Sequence, residues 1–215
     1  STSSSSTSSS TSLAAAAFAS TQSIVDAGLE GLPTGALAYL VVVLEELARG
    51  SGWSNVNLSL AAVTTLWSVA DEVARRGDDA SGVWPRILAA LSSLVIGVPS
   101  PARELRTAAA DALFGSVTAH ARSIPDALWE HVLVAHILPL AVEVMAVSDG
   151  AVRVYQEGAG DGNDSSRLED ASAWNSAHIG ALQGLCRALS SAATHLSTSD
   201  AFVETWSGAL ALLER

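Results

Sequence analysis

His120, His131, His136, His178, His195 and the single Cys186 are the side chains of this 215-residue chain that could ligate a transition metal or attack an electrophile. A helix-borne metal pair needs ligands one turn apart, at i and i+4. His131 and His136 are five apart, which on an α-helix sends them to different faces, so the histidines read as satisfied by solvent or core. Asp161, Asn163 and Ser165 alternate like the start of a calcium loop, but Ser166 stands where the loop glycine belongs and Ser172 where its closing glutamate belongs. Gly158, Gly160 and Gly162 do not sit between a strand and a helix N-terminus, so they form no phosphate cradle. Cys186 falls in an apolar helical pattern and reads as packed. Glu45-Glu46 and Asp71-Glu72 are adjacent carboxylates that point to different sides of a helix and read as solvated. The tryptophans recur at helical spacing, as core anchors do. No catalytic constellation emerges, and no cofactor or metal site. The reading is of a protein that is not an enzyme.

What remains are residues with structural work, and the elements that place them. The pattern centres on residues 100–120, SPARELRTAAADALFGSVTAH. Ser100 and Pro101 form a helix start, a capping hydroxyl followed by a ring already at helical φ. Leu105, Ala109, Ala112, Leu113, Phe114 and Val117 then recur every three or four residues and build a wide apolar face. This is the pattern of the second helix of a HEAT-type repeat, in which the alanines admit a close neighbour. Arg106 has an argued role there, reaching carboxylates or carbonyls of neighbouring turns. Trp67, Leu113, Phe114 and Trp129 are the expected packing anchors, with Trp67 and Leu113 buried.

Composition supports helices. Hydrophobic residues make up 49% and aromatics only 5%, so the apolar content is mostly Ala, Leu and Val. The 11 basic residues are all arginine and face 22 carboxylates, for a net charge of −11. Such a chain repels nucleic acid and anionic lipid where it lacks a basic patch, and no run of arginines provides one. One cysteine excludes an internal disulfide. No stretch reads as a transmembrane helix: residues 36–44 are too short, and 132–147 are interrupted by His136, Pro139 and Glu143.

In chain order, residues 1–12 are Ser and Thr alone and read as a disordered low-complexity start. Residues 13–148 read as HEAT-like helical repeats. A weak helix over 13–29, with Phe18, Ile24, Val25 and Leu29 as its apolar side, precedes helices over 34–49 and 53–76. The second is capped by Ser54 or Asn55 and carries two stripes, Val56-Leu60-Val63-Trp67-Ala70 and Leu58-Ala62-Leu66-Val69-Val73. A helix apolar on two sides must be covered on two sides. Helices over 84–97 and 101–122 form the next pair. Another helix opens at 124–126 and runs to about 148, kinked by Pro139. Residues 149–170 read as a flexible acidic Gly/Asp insert, and 171–215 as a continuing repeat with helices to 196 and from 199. The pairs step by roughly 45 residues, as in HEAT or armadillo arrays; Trp84 and Trp129 are 45 apart. The fold expected is therefore an all-α, HEAT/armadillo-like α-solenoid of antiparallel helix pairs, a fragment of something longer.

Residues 55–60, NVNLSL, continued by Leu66-Trp67-Ser68, resemble the Mon-two (monensin-sensitivity) family of HEAT-repeat proteins. Residues 99–106, PSPARELR, with 111–114, Ala119-His120, Trp129 and residues 137–140, ILPL, are shared between that family and its relatives, the BIG-type large Arf guanine-nucleotide exchange factors. The ending Leu66-Trp67 favours Mon-two. The resemblance covers residues 24–147 and, more loosely, 174–213. It implies a non-enzymatic scaffold of Golgi and endosome membrane traffic, cytoplasmic and peripheral at the trans-Golgi network. A Dopey-type protein and Arf-like GTPases would be its partners. The alternatives are a regulatory segment of a large Arf exchange factor, whose catalytic domain would lie outside these residues, and an unrelated HEAT-repeat adaptor.

Overall fold

The computed structural model describes residues 4–51, 55–96, 103–157, 164–196 and 202–214, and every regular element among them is helical. The fold is all-α and solenoid-like, as expected. It divides into two compact units, Ser1–Ser116 with Arg122–Ile124, and Val117–Ala121 with Pro125–Arg215.

The first unit contains α1 (Ser4–Asp26), α2 (Thr34–Ser51), α3 (Val56–Arg76), α4 (Trp84–Ile96) and the first part of α5 (Arg103–Ala119), with 3-10 turns at Leu29–Gly31 and Gly77–Val83. α1 begins well inside the Ser/Thr run that reads as disordered. Each residue added to a helix already formed by the alanine-rich segment gains one backbone hydrogen bond for one residue fixed, and this carries the polar run along. Along α1, hydroxyls fold back onto the preceding turn, as Thr21 Oγ1 does to the Ala17 carbonyl at 2.9 Å. Phe18 and Val25 are half-buried, but Ile24 faces out.

α2 and α3 form the central hairpin. Leu37, Val41, Leu44 and Ala48 of α2 are buried, and so is the whole Leu58-Ala62-Leu66-Val69-Val73 stripe of α3. The second stripe of α3 departs from expectation: Val63 and Ala70 are buried, while Val56, Leu60 and Trp67 remain half-exposed. Of the two expected caps, Asn55 serves, accepting from the Leu58 N–H at 3.2 Å; Ser54 lies outside the described residues. Gly77 ends α3 at φ +63, a conformation costly for any residue with a Cβ, and its N–H bonds to the Val73 and Ala74 carbonyls.

Side-chain hydrogen bonds tie elements of the first unit that lie far apart in sequence. Thr34 donates to the Asp79 carbonyl, Arg49 to Ser93, and Arg76 to the Leu29 and Leu32 carbonyls, over sequence separations of 44 to 47 residues. α5 is described from Arg103, so the Ser100-Pro101 start lies outside the described residues.

The second unit is built on α6 (Asp126–His131), a π-helical turn (Val132–Ile137) and α7 (Leu138–Glu157), followed by α8 (Asp164–Leu196) and α9 (Phe202–Leu213). The kink expected at Pro139 takes the form of this wide turn. Proline has no N–H for the carbonyl one turn back and crowds it, and the chain resolves this just upstream, where the Leu138 N–H reaches five residues back to Leu133. α7 and α8 pack along each other; Leu140, Ala141, Val144 and Ser148 of the one and Ala181, Leu185, Ala188 and Ala192 of the other are buried. The same packing prolongs α7 beyond residue 148. Residues 149–157 and 164–170, read as flexible insert, are the end of α7 and the start of α8, and 158–163 lie outside the described residues. A single glycine at 150 costs a helix only about 1 kcal/mol, and Ala151 and Val152 beyond it are part-buried.

Asp126–Val154 is long and apolar enough to cross a membrane by length and composition, the one such run among the described residues. Of its apolar window, 44% is buried within the protein, and a core helix passes the same test.

Candidate functional site

Four of the five expected anchors are interior. Leu113 and Trp129 are fully buried, Phe114 is 2% exposed and Arg106, a charged side chain, only 3%. Burying a guanidinium is costly unless it is engaged, and Arg106 is engaged with neighbouring groups. Trp67 is the exception. Its indole is half-buried and turns the Cζ3–Cη2 edge of its ring to Gly115 of α5, so close that a Cβ there would overlap the ring. The signal for this contact was in the sequence: an isolated glycine inside a strong helical pattern marks a close approach.

The carboxylate pairs split as expected by face, but not into two solvated members. Glu46 and Asp71 are exposed. Glu45 reaches across to α4, where it accepts from the Ser93 hydroxyl at 2.6 Å and pairs with Arg49 at 2.5 Å. Glu72, 8% exposed, accepts from Arg75 at 2.7 and 2.9 Å and from Arg76 at 2.6 Å. The Arg75 hydrogen bond, with a smaller contribution from Arg76, holds the Glu72 carboxyl below the ordinary glutamate range against the opposing effect of burial. Arg76 also donates to the carbonyls of Leu29, Glu30 and Leu32, so one guanidinium closes the turn between α1 and α2. These carboxylates are engaged by neighbouring guanidinium and hydroxyl groups, while the buried Arg49 Nε has no hydrogen-bond partner.

In the second unit the π-turn overturns one expectation. His131 and His136, assigned to different faces, meet edge to face with ring centroids 5.2 Å apart. A turn closed five residues back places residue i+5 above residue i, as an α-turn places i+4. Burial first, and the nearby His131 second, push His136 below the ordinary imidazole value of 6.5. His195, near the end of α8, stacks on Trp129 at 5.5 Å and contacts Asp126 through Nδ1 at 2.5 Å. Cys186 is exposed rather than packed, because Leu185 and Leu189 take the inward positions on α8. It lines a groove of about 160 Å³ with Leu189, Ser190, Trp206, Ala209 and Leu210, between α8 and α9. Among the described residues no three His, Cys, Asp or Glu side chains converge to hold a metal ion.

The surface offers apolar rows instead. Tyr39, Val42 and Val43 stand out from α2, with Tyr39 74% exposed. Val203, Trp206 and Leu210 do so on α9, at the i, i+3, i+7 spacing of one helix face, with Val203 71% exposed. Sequence reasoning missed both rows, since periodicity shows that a helix has an apolar side but not which residues a neighbour covers.

The packed helices, which are the only regular elements among the described residues, and the apolar rows facing outward define an α-helical, solenoid-like protein. The chain is similar to the protein MON2 homolog of Caenorhabditis briggsae, 29% identical over 121 residues, and to the monensin-resistant homolog 2 of Caenorhabditis elegans, 28% identical over 121 residues. Each match covers 54% of this chain and 7% of the relative, so the chain spans a small part of the length of the curated proteins it matches. These relatives are of the Mon-two family that the sequence resembles. No protein-family model matches, and no solved structure does.

Proposed function

We propose that this chain is a non-enzymatic scaffold segment of a membrane-trafficking protein and acts through protein–protein contacts. The observation that carries the reading is the similarity to two Mon-two homologues over more than half of the chain. The outward apolar rows of α2 and α9 support it, since contiguous exposed apolar surface is what a protein contact requires. The packing step of 44 to 47 residues fits a HEAT-type array. In this reading the full-length protein is cytoplasmic and peripheral at the trans-Golgi network and endosomes, with a Dopey-type protein and Arf-like GTPases as partners. Proximity labelling from the full-length protein tests it. A Dopey-type protein and Arf-like GTPases are expected among the labelled neighbours; a neighbour set made of nuclear transport factors, with neither present, overturns it. The isolated chain is expected to leave nucleotide release from an Arf-like GTPase at its spontaneous rate.

A further inference from the structure

The π-turn brings together two imidazoles that an unbroken α-helix would hold apart. His131 is exposed, so one ring of the pair is open to solvent and able to turn. His136 is half-buried, and its Nε2 is enclosed with no hydrogen-bond partner. A buried ring nitrogen without a partner is costly and unusual, and a metal ion is one of the groups that satisfies it. The spacing suits that role. Two imidazoles bound to one tetrahedral ion through nitrogens at 2.0–2.1 Å place their ring centroids about 5 Å apart, and the observed separation is 5.2 Å. π-turns inside α-helices recur at functional sites, and the net charge of −11 favours accumulation of cations around the chain.

We propose that His131 and His136 form a two-histidine site for a borderline divalent transition metal of the Zn²⁺, Ni²⁺ or Cu²⁺ type. Imidazole nitrogen selects these ions over Mg²⁺ and Ca²⁺, which prefer oxygen ligands. The protein supplies two ligands, and water or a group from another molecule completes the shell. The exposed His131 ring turns to bring its nitrogen towards the ion, while His136 is held by its place in the helix. Binding requires both rings neutral, so it weakens as pH falls through the imidazole range.

The test titrates NiCl₂ and, separately, ZnCl₂ into the whole chain after dialysis against a chelator, followed by calorimetry and by the imidazole proton resonances. One equivalent is expected to bind, shifting the signals of both histidines, with MgCl₂ without effect. His131→Ala, which removes an exposed ring and leaves the core intact, is expected to weaken binding about tenfold or more. His136→Ala should do the same where circular dichroism shows it folded. His178→Ala, on a different helix, should bind as the parent protein does. Saturable binding that survives His131→Ala, or follows His195 instead, overturns the site, and so does the absence of saturable binding.

Discussion

The two units are fastened by different means. In the first, charged and hydroxylated side chains cross from helix to helix and end on backbone or carboxylate. Arg76 holds three carbonyls of the α1–α2 turn, Glu45, Arg49 and Ser93 lock α2 to α4, and the Ser59 hydroxyl donates to the Ala48 carbonyl at 2.8 Å. In the second, the long antiparallel pair α7 and α8 rests mainly on small and branched apolar residues, and aromatic or imidazole rings mark its special contacts. Directional bonds of the first kind fix register, because each donor meets one acceptor. Apolar packing of the second kind fixes distance and leaves the outer face free, and there Val134, Val142 and Val147 are exposed. The contrast shows how one solenoid-like chain can combine a section pinned by directional bonds with one held by apolar packing.

The largest effect should come where both units depend on the same thing, a wholly buried indole. Trp84→Ala and Trp129→Ala are each expected to cost ~3–5 kcal/mol in denaturant unfolding, from lost apolar contact and a residual cavity. A loss below about 1 kcal/mol for Trp129→Ala would show that the second unit has no interior of its own to lose.

Next, Arg76→Met keeps the aliphatic stem but strips the donors from three carbonyls and from Glu72. A cost of about 3 kcal/mol is expected, with faster amide exchange at the α1–α2 turn. An unchanged unfolding midpoint would remove the claim that directional bonds pin the first unit.

Gly115→Ala should cost about 1–2 kcal/mol despite alanine's better helix propensity, because the new methyl must displace the Trp67 indole. In a Trp67→Ala background the same change should become neutral or stabilising by up to about 1 kcal/mol, and the difference between the two measurements is the coupling. Equal effects in both backgrounds would mean that the ring does not lie over the glycine. Because Trp67 is half-exposed, Trp67→Ala alone should cost about 2 kcal/mol, less than the fully buried tryptophans.

Acid should separate the units by a smaller margin. His136 is held below 6.5, so the native state binds its proton less readily than the unfolded chain does. The stability it lends is complete above 6.5 and is lost as pH falls through the window beneath that value. Glu72 is held below 4.5; its contribution is complete above 4.5 and is lost only as pH falls further, through its own depressed value. Amide protection factors, measured at pH 7.5, 5.5 and 4.0 against the intrinsic exchange rate at each pH, are expected to fall around the π-turn first and at the end of α3 last. His136→Gln should abolish the first change and spare the second.

Much of this was legible in the residues. The 3.6-residue apolar rows and the Asn55 cap are local, each set by chemistry within a turn or two, whereas the helix expected to end at residue 49 runs on through Gly50 to Ser51. Leu113, Phe114 and Trp129 lie on such rows and are interior. What escaped depends on partners distant in sequence. Trp67 meets the bare backbone at Gly115 on another helix, and Glu45 accepts from Ser93 on another. His131 and His136 were misplaced because their angular separation was counted on a regular α-helix, while Pro139 downstream enforces a wider turn between them. Cys186 was assigned to the interior from the company it keeps in sequence, yet Leu185 and Leu189 take the covered side. The helical stretches at 4–12 and 149–157 escaped because composition alone does not show that a helix formed next to them in the chain runs on through them.

The central claim is that this segment works through its outward apolar rows and not through an interior site. Affinity capture and mass spectrometry of the full-length protein carrying Tyr39→Glu and Val43→Glu on α2, or Val203→Glu and Trp206→Glu on α9, tests it most directly. The account predicts that at least one of these exposed pairs loses bound proteins, while circular dichroism and thermal unfolding of the chain stay unchanged. An identical set of captured partners for both variants and the parent protein would contradict it.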